Sequence, residues 1–184
     1  MSGRNGVCSY RRFLQGDVTA LEELVREYGD ALVRFAYCYV KDSAAAEDIM
    51  EDAFATLLVR RRHFSECDNL RAYLYKTVRN RCLDYLRKRK KQTPIADLEN
   101  VLSTGSAEAD LLAQERNETL YRCMQKLPPQ YGEVLYLAYF EDCKTEEICK
   151  IVRSTKKQVY NLLSRAKTTL KELLFQEGYF YENE

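Results

Sequence analysis

Apolar side chains recur at every third or fourth residue along almost the whole chain, and this spacing is what most limits its fold. In the first such stretch they are Leu21, Leu24, Tyr28, Leu32, Phe35 and Tyr39. A turn of α-helix takes about 3.6 residues, so the spacing places them on one helical face. The pattern predicts an all-α fold whose first helix starts at Thr19, with Glu22 completing a capping box.

Two more helices are predicted before residue 92. The second starts at Ser43, a residue type that suits an N-cap. Its apolar stripe consists of Ile49, Met50, Ala53, Phe54, Leu57 and Leu58. A polar break at 62–69 precedes the third helix, which starts near Leu70. The residues predicted to be buried on this third helix are Leu70, Leu74, Val78, Cys82, Tyr85 and Leu86.

The composition changes after residue 91. Residues 92–118 hold six acids against one base, and the stretch "QTPIADLENVLSTGSAE" combines Pro, Gly, Ser and Thr with weak periodicity. Such a stretch is typical of a linker. We therefore predict two small helical domains, 13–91 and 113–175, joined by an acidic linker at 92–112 and followed by a tail at 176–184.

The second predicted domain contains a helix-turn-helix pattern. After "LPPQ", a helix is predicted from about Pro129 to Phe140, because proline is tolerated in a first helical turn. Thr145, followed by two glutamates, suits the start of a short helix. The tight turn "VRST" leads into a longer helix that ends near Phe175. A short helix, a turn and a long helix form the motif that places a recognition helix in DNA.

The long helix has an apolar stripe and an opposite polar face. The stripe consists of Val159, Leu162, Leu163, Ala166, Leu170 and Leu173. The polar face and its flanks carry Lys156, Lys157, Tyr160, Asn161, Ser164, Arg165 and Thr168. Amides and hydroxyls read base edges and cations hold phosphates, so this face is a candidate for DNA recognition. The alternative is a helical hairpin whose outer face is merely solvated.

The third helix concentrates positive charge. From Leu70 to Lys91 there are nine Lys or Arg against one acid, Asp84, in a chain whose formal net charge is +1. Its polar face presents Tyr73, Lys76, Asn80, Asp84 and Arg87. An aromatic ring, an amide and cations together suit stacked bases and neutralised phosphates. A solvated charged face is again the alternative, although two such helices on one chain suit a bipartite target.

Little in the sequence favours an enzyme or a metal site. The seven cysteines include no C-x-x-C pair, His63 is the single histidine, and no glycine-rich phosphate loop is present. We therefore expect no cofactor, no metal and no catalytic residue. The chain also lacks a long apolar run or a signal-peptide pattern, so we expect a cytoplasmic protein without membrane insertion.

Three motifs in order resemble the extracytoplasmic-function (ECF) sigma factors of bacterial RNA polymerase. They are "AEDIMEDAFATLL" (46–58), "LRAYLYKTVRNRCLDYLRKRKK" (70–91), and "LPPQYGEVLYLAYFEDCKTEEICKIV" (127–152) followed by "KKQVYNLLSRAKTTLKELL" (156–174). The resemblance covers about residues 13–175. It implies a region two domain, a region four helix-turn-helix domain, and a role in promoter recognition and opening.

The resemblance also implies residue roles and partners. The residues implied to bind the clamp coiled coil of the polymerase β′ subunit are Asp48, Glu51, Asp52 and Thr56. Those implied to handle the minus-ten element are Tyr73, Lys76, Arg79, Asn80 and Arg87, with loop 63–69 holding an extruded base. Those implied to read the minus-thirty-five element are Lys156, Lys157, Tyr160, Asn161, Ser164 and Arg165. The implied partners are core polymerase, through β′ and β, promoter DNA and an anti-sigma factor.

Three positions depart from the family pattern. Tyr73 stands where the family often has Trp, Glu51 replaces a common Gln, and the turn "VRST" lacks the usual Gly. Two other functions stay open on the residues alone. The chain could be a helix-turn-helix regulator that binds duplex DNA by itself, or a helical adaptor that binds no DNA.

Overall fold

The computed structural model describes residues 5–64, 67–92 and 111–178, and within these ranges the regular elements are all helical. The N-terminal half contains α1 (Asn5–Leu14), α2 (Thr19–Val40), α3 (Ser43–Arg60) and α4 (Cys67–Gln92). The C-terminal half contains α5 (Leu111–Lys126), α6 (Pro129–Leu135), α7 (Thr145–Val152) and α8 (Lys156–Gln176). None of the helices described here has the length and apolarity needed to cross a membrane. The predicted all-α class is confirmed.

Helices α1 to α4 form an N-terminal unit around one apolar core. Its fully buried side chains include Leu24, Leu32, Phe35, Leu57, Leu70 and Leu74. Burying each such side chain stabilises the fold by about 1.5–3 kcal/mol. The predicted apolar stripes of α2, α3 and α4 are the faces that enter this core.

Helix α1 was not predicted from the sequence. It is only 10 residues long, it has no acidic residue in its first turn, and two arginines occupy its last turn. Two of its side chains, Val7 and Tyr10, are nevertheless buried against the rest of the N-terminal unit. Because isolated helices of this length are marginal in water, tertiary packing holds a helix that its local sequence only weakly favours.

Two predicted helix caps were assigned to the wrong residues. The cap of α3 is Asp42, whose carboxylate accepts a hydrogen bond from the Ala45 backbone N–H at 3.1 Å, so Ser43 is the first helical residue. At the start of α2, Thr19 donates both its N–H and its hydroxyl to the Asp17 carboxylate. In both places a carboxylate satisfies the exposed N–H groups of the first turn, as N-caps do.

The C-terminal unit contains the predicted helix-turn-helix. The helix predicted from Pro129 to Phe140 is split, because α6 gives way to a π-helical turn at Tyr136–Phe140. Helix α7 starts with Glu147 accepting the Lys144 N–H at 3.2 Å, so Lys144 and not Thr145 occupies the cap position. The turn after α7 places Arg153 in the left-handed region (φ 56°), a conformation that favours glycine.

The two units pack directly on each other through a continuous core. Helix α4 lies against α7 and α2 lies against α6. The Phe35 ring contacts Tyr75 of its own unit, 5.0 Å away between centroids, and Tyr136 of the other unit, 5.9 Å away. Tyr136 also donates its hydroxyl to the Ala31 carbonyl at 3.1 Å. We call this packing the closed arrangement.

Helices α6 and α2 approach each other closely at Gly132. A Cβ added at Gly132 of α6 would lie 3.7 Å from Cβ of Cys38 on α2, so the two helices pack without an intervening side chain. Burial raises the pKa of the Cys38 thiol to about 11 and that of Cys82 to about 12. Both thiols are therefore protonated near neutral pH and react slowly.

The predicted linker, 92–112, lies mostly outside the described residues, as does the tail beyond residue 178. At the edges of these ranges, α4 extends to Gln92, α5 begins at Leu111, and α8 ends at Gln176. The predicted end of the last helix, near Phe175, is thus confirmed to within one residue.

Candidate nucleic-acid interface

Helix α8 holds the most accessible candidate surface. Val159, Ala166 and Leu174 are buried and fix which side of the helix faces the core. Thr155 caps its start by accepting the Gln158 N–H at 3.3 Å, and the Gln158 side chain accepts the Thr155 N–H at 2.8 Å. The six predicted minus-thirty-five residues are all exposed: Lys156, Lys157, Tyr160, Asn161, Ser164 and Arg165.

Two contacts set the charge around this α8 face. Lys156 forms an exposed ion pair with Glu146 of α7 at 2.7 Å, which raises the lysine pKa and lowers that of the glutamate. Exposed pairs of this kind are worth at most about 1 kcal/mol, so a phosphate can displace the glutamate. The Lys167 ammonium lies 5.1 Å from the centre of the Tyr139 ring, outside the predicted reading residues.

A groove of about 690 Å³ runs between α3 and α4. Of the predicted minus-ten residues, Tyr73, Lys76 and Asn80 line it, and each is half-buried. Arg153, from the turn before α8, also lines the groove and so brings the C-terminal unit to its edge. The groove is large enough for a nucleobase, and an amide, a cation and a ring line its wall.

Arg87 and Arg79 do not line this groove. Arg87 is exposed and borders a second depression of about 450 Å³ near the start of α3, where it pairs with Asp84 at 3.0 Å. Arg79 points instead toward the C-terminal unit, where its Nε donates to the buried carboxylate of Glu133 at 2.8 Å. The structure therefore divides the predicted minus-ten set among three places.

The Glu133 carboxylate joins the two units. Its Oε2 also accepts a hydrogen bond from the Tyr39 hydroxyl, so two groups of the N-terminal unit hold it. Burial raises the pKa of Glu133, whereas the Arg79 guanidinium favours its ionised form, and the two effects oppose each other. Removing one partner of such a buried pair costs about 3–5 kcal/mol, because the other charge is left without compensation.

A second ion pair crosses the same interface. Arg71 of α4 donates to both carboxylate oxygens of Glu147 at 2.8 Å and to the Glu141 carbonyl at 3.2 Å. The Glu147 side chain is only 7% exposed. The sequence reasoning missed Arg71, Glu133 and Glu147, although each glutamate lies beside an apolar run where a carboxylate needs a buried partner.

The predicted polymerase-binding residues share one side of α3. Asp48, Glu51 and Asp52 are exposed, and Thr56 is half-buried. Arg81 of α4, which was not predicted, contacts two of them: it pairs with Asp52 at 3.0 Å and donates to the Thr56 hydroxyl at 3.1 Å. The acidic face of α3 is thus partly neutralised by the basic helix.

Aromatic rings border the groove next to the predicted base-holding loop. His63 is exposed, and residues 65 and 66 of the 63–69 loop lie outside the described residues. The Phe64 ring lies 5.3 Å from that of Tyr73. The Arg62 guanidinium stands 5.5 Å from the Tyr73 ring centre. Tyr73 thus keeps the ring-and-cation chemistry expected at a site where bases stack.

Comparison with known proteins gives concordant results for both halves. The family model of Sigma-70 region 2 matches residues 24–92, and that of Sigma-70, region 4 matches residues 117–170. The ECF RNA polymerase sigma factor SigM of Bacillus subtilis is 28% identical over 154 residues, which span 83% of this chain and 94% of that protein. The RNA polymerase sigma-E factor of Streptomyces antibioticus is 29% identical over 161 residues, or 87% of each chain.

Two solved structures share the fold. CnrH, solved in complex with the cytosolic domain of CnrY, aligns with a TM-score of 0.64 at 20% identity and covers 94% of this chain and 98% of that one. RpoE from Bartonella quintana, solved with the anti-sigma factor NepR, aligns with a TM-score of 0.63 at 23% identity over 83% of this chain and 97% of that one.

Matches to both regions, in order, leave no support for the alternative of a helix-turn-helix regulator that binds duplex DNA by itself. The relatives are matched over nearly their full length, so the similarity extends over both units and not over one module alone. The chain therefore belongs to the sigma-70 family as an ECF sigma factor, and it directs RNA polymerase in promoter-specific transcription initiation.

Proposed function

We propose a division of labour among three helices: α3 docks core polymerase, α4 handles the minus-ten element, and α8 reads the minus-thirty-five element. The observation that carries this proposal is the accessibility of α8, whose reading residues are all exposed while its apolar stripe is packed. A recognition helix must present amides and cations outward from a rigid support.

On α8, Lys157 and Asn161 are the central reading residues. They lie four residues apart, so their side chains project from the same face of the helix and reach one stretch of major groove. The amide of Asn161 suits an adenine edge, and Lys157 suits guanine or a phosphate. Lys156 and Arg165 flank them and neutralise phosphates.

On α4, Asn80 and Lys76 act in the groove beside Tyr73. An unpaired base stacks on an aromatic ring and is hydrogen-bonded by an amide, while cations hold the backbone. Extruding a base costs a few kcal/mol, which pocket contacts offset. Arg79 and Arg87 then neutralise phosphates on either side of the groove.

On α3, the acidic side binds a basic helical partner, which for a sigma factor is the clamp coiled coil of the β′ subunit. Asp48 and Glu51 are available as the protein stands. Asp52 and Thr56 bind Arg81 in the free protein, and on docking they release Arg81 and contact the partner instead. Like most charged interface contacts, these affect the rate of association and the choice of partner more than the raw affinity. Contacts to the β subunit complete the docking of the C-terminal unit.

The closed arrangement has to open before all three surfaces can act. Arg79 cannot neutralise a DNA phosphate while its Nε is bound to buried Glu133. Arg153 also lines the groove that contains Lys76 and Asn80, so DNA entering the groove would meet the C-terminal unit. Core polymerase supplies the differential affinity that favours the open form, as any ligand that shifts a conformational equilibrium must.

We further propose an anti-sigma factor as a regulatory partner, because RpoE from Bartonella quintana, which has the same fold, was solved in complex with the anti-sigma factor NepR. A partner that bridges α2 and α6 stabilises the closed form by mass action. The protein itself performs no catalysis and acts in the cytoplasm, where polymerase and DNA are found.

Reconstitution with core polymerase tests the proposal. Transcription start sites mapped with the wild-type holoenzyme should share sequence upstream at two positions. Asn80→Ala should weaken promoter opening and leave polymerase capture intact, whereas Lys157→Ala with Asn161→Ala should relax the upstream preference. An equal loss of polymerase capture in Asn80→Ala, or an unchanged promoter preference in the α8 variant, contradicts the division of labour.

A further inference from the structure

We propose that Tyr10 and Arg11 of α1 are positioning residues for promoter opening. They hold Phe64, and through it Tyr73, at the edge of the groove where an extruded base stacks. The inference rests on the proposed function, since it assumes that this groove receives the non-template strand. Helix α1 lies outside both regions matched by the family models, 24–92 and 117–170.

Three rings form a row from the core to the groove. Tyr10 is fully buried, and its ring centre lies 5.6 Å from that of Phe64, with 56° between the planes. Phe64 lies 5.3 Å from Tyr73 at 53°. Tilted rings at these distances attract each other beyond their burial. A displacement of Tyr10 is therefore transmitted through Phe64 to the ring that lines the groove.

Arg11 adds a contact to the backbone of the same residue. Its guanidinium donates to the Phe64 carbonyl at 3.3 Å. Phe64 follows the end of α3 and belongs to no helix, so no ladder of hydrogen bonds fixes its backbone. Helix α1 thus holds Phe64 at two points: Tyr10 contacts its ring and Arg11 binds its carbonyl oxygen.

Tyr73 depends on this support because its own polar end is not anchored. Its hydroxyl is buried and has no hydrogen-bond partner among the described residues. The Arg62 guanidinium covers the ring instead, 5.5 Å from its centre. With no hydrogen bond to its hydroxyl among the described residues, the Tyr73 ring is oriented by its contacts with Phe64 and Arg62. A base that stacks on Tyr73 would take the place of Arg62.

The size of the effect follows from stacking. Stacking of one base on an aromatic side chain is worth about 1–3 kcal/mol when measured by truncation. A misplaced Tyr73 ring loses part of this stacking energy. We therefore expect removal of the Tyr10 ring to shorten the open-complex lifetime about 5- to 10-fold. Polymerase capture should not change, because this row meets α3 at the carbonyl of buried Leu57, 3.5 Å from the Tyr10 hydroxyl, and not at the exposed Asp48 and Glu51.

The experiment uses the reconstituted holoenzyme on a promoter found by start-site mapping. The variants are Tyr10→Leu, which keeps an apolar side chain but removes the ring, and Tyr10→Phe, which restores the ring. Arg11→Gln removes the contact to the Phe64 carbonyl from an exposed position, and thermal unfolding reports any general loss of stability. Val7→Ala is the matched control, since Val7 is buried in α1 and is not part of the ring row. Open-complex lifetime and thermal unfolding are measured for each.

A scan of abasic sites along the melted non-template strand separates positioning from general destabilisation. We expect one abasic position to shorten the wild-type lifetime, and at that position Tyr10→Leu and Arg11→Gln should cause little further loss. Tyr10→Phe should behave as wild type, and any loss of lifetime caused by Val7→Ala should be the same with and without the base. Equal losses with and without the base overturn the inference. A wild type indifferent to every abasic site overturns instead the proposed base-binding role of the groove.

Discussion

Helices α4 and α8 carry the same types of polar side chain but differ in how many of them are free to bind nucleic acid. Both combine cations, an asparagine and a tyrosine on a polar face. On α8 every such side chain is exposed, whereas on α4 two arginines are bound to buried glutamates of the other unit. Charge and residue type thus predict where nucleic acid can bind, and intramolecular contacts decide which surface is available first.

The largest effect is expected from α8. Replacing Lys157 and Asn161 together by alanine should lower transcription from the cognate promoter at least about 30-fold, since each base contact is worth about 1–3 kcal/mol. Run-off transcription at fixed salt measures this. Glu172→Ala, an exposed change further along α8, is the control. If the double variant retained full promoter selectivity, the exposed face of α8 would not be the reading surface.

The next effect concerns the buried pair between α4 and α7. Arg71→Met leaves Glu147 buried without its cation, which should destabilise the closed arrangement by about 3 kcal/mol or more. Small-angle scattering of the free protein should then report a larger radius of gyration. The exchanged pair, Arg71→Glu with Glu147→Arg, should recover part of the compactness. A compact Arg71→Met variant would show that apolar packing alone keeps the units together.

Glu133→Gln should have a smaller effect in the same direction. The amide keeps the shape and can still accept from Arg79 or Tyr39, so only the charge–charge part of about 1–2 kcal/mol is lost. The free protein should then protect a promoter fragment from nuclease more readily than the wild type does. Arg79→Gln leaves the buried Glu133 carboxylate without its cation, so it loosens the interface at least as much, but it also lacks the DNA contact. Matching footprints for the two variants would therefore argue against a dual role for Arg79.

The smallest effect is expected at the surface of α3. Arg81→Gln releases Asp52 and Thr56, and unfolding free energy should change by less than about 1 kcal/mol because the pair is exposed. Titration with core polymerase should show equal or slightly tighter binding, with a faster association rate. Lys90→Gln, an exposed change on the same helix, serves as the comparison. Weaker capture by Arg81→Gln alone would mean that Arg81 itself contacts the polymerase.

Most helices of both units could be predicted from periodicity, because the spacing of apolar residues shows which face of a helix is buried. Caps were harder, since Asp42 and Ser43 are both good capping residues and only the backbone geometry decides between them. Helix α1 escaped prediction because packing of Tyr10 and Val7, rather than local propensity, stabilises it.

The position of the groove residues could be predicted from the sequence, but which polar side chains are already bound within the protein could not. Periodicity placed Tyr73, Lys76 and Asn80 on one side of α4, and all three line one groove. Arg79 was grouped with them by the family resemblance and not by periodicity, and neither signal indicates that its side chain is bound inside the protein. Its partner, Glu133, lies 54 residues away in sequence, and a contact of that separation leaves no periodic trace.

The close approach of Gly132 to Cys38 gives the molecule a chemical reporter of its own opening. In the closed form Cys38 is packed against α6 and its thiol is held protonated, so an alkylating reagent should modify it slowly. Separation of the units uncovers this thiol and returns its pKa toward the ordinary value. Cys82 lies inside the N-terminal core and stays covered in either form, so it serves as an internal reference. The ratio of the two modification rates would measure, without any introduced label, how often this sigma factor opens before polymerase arrives.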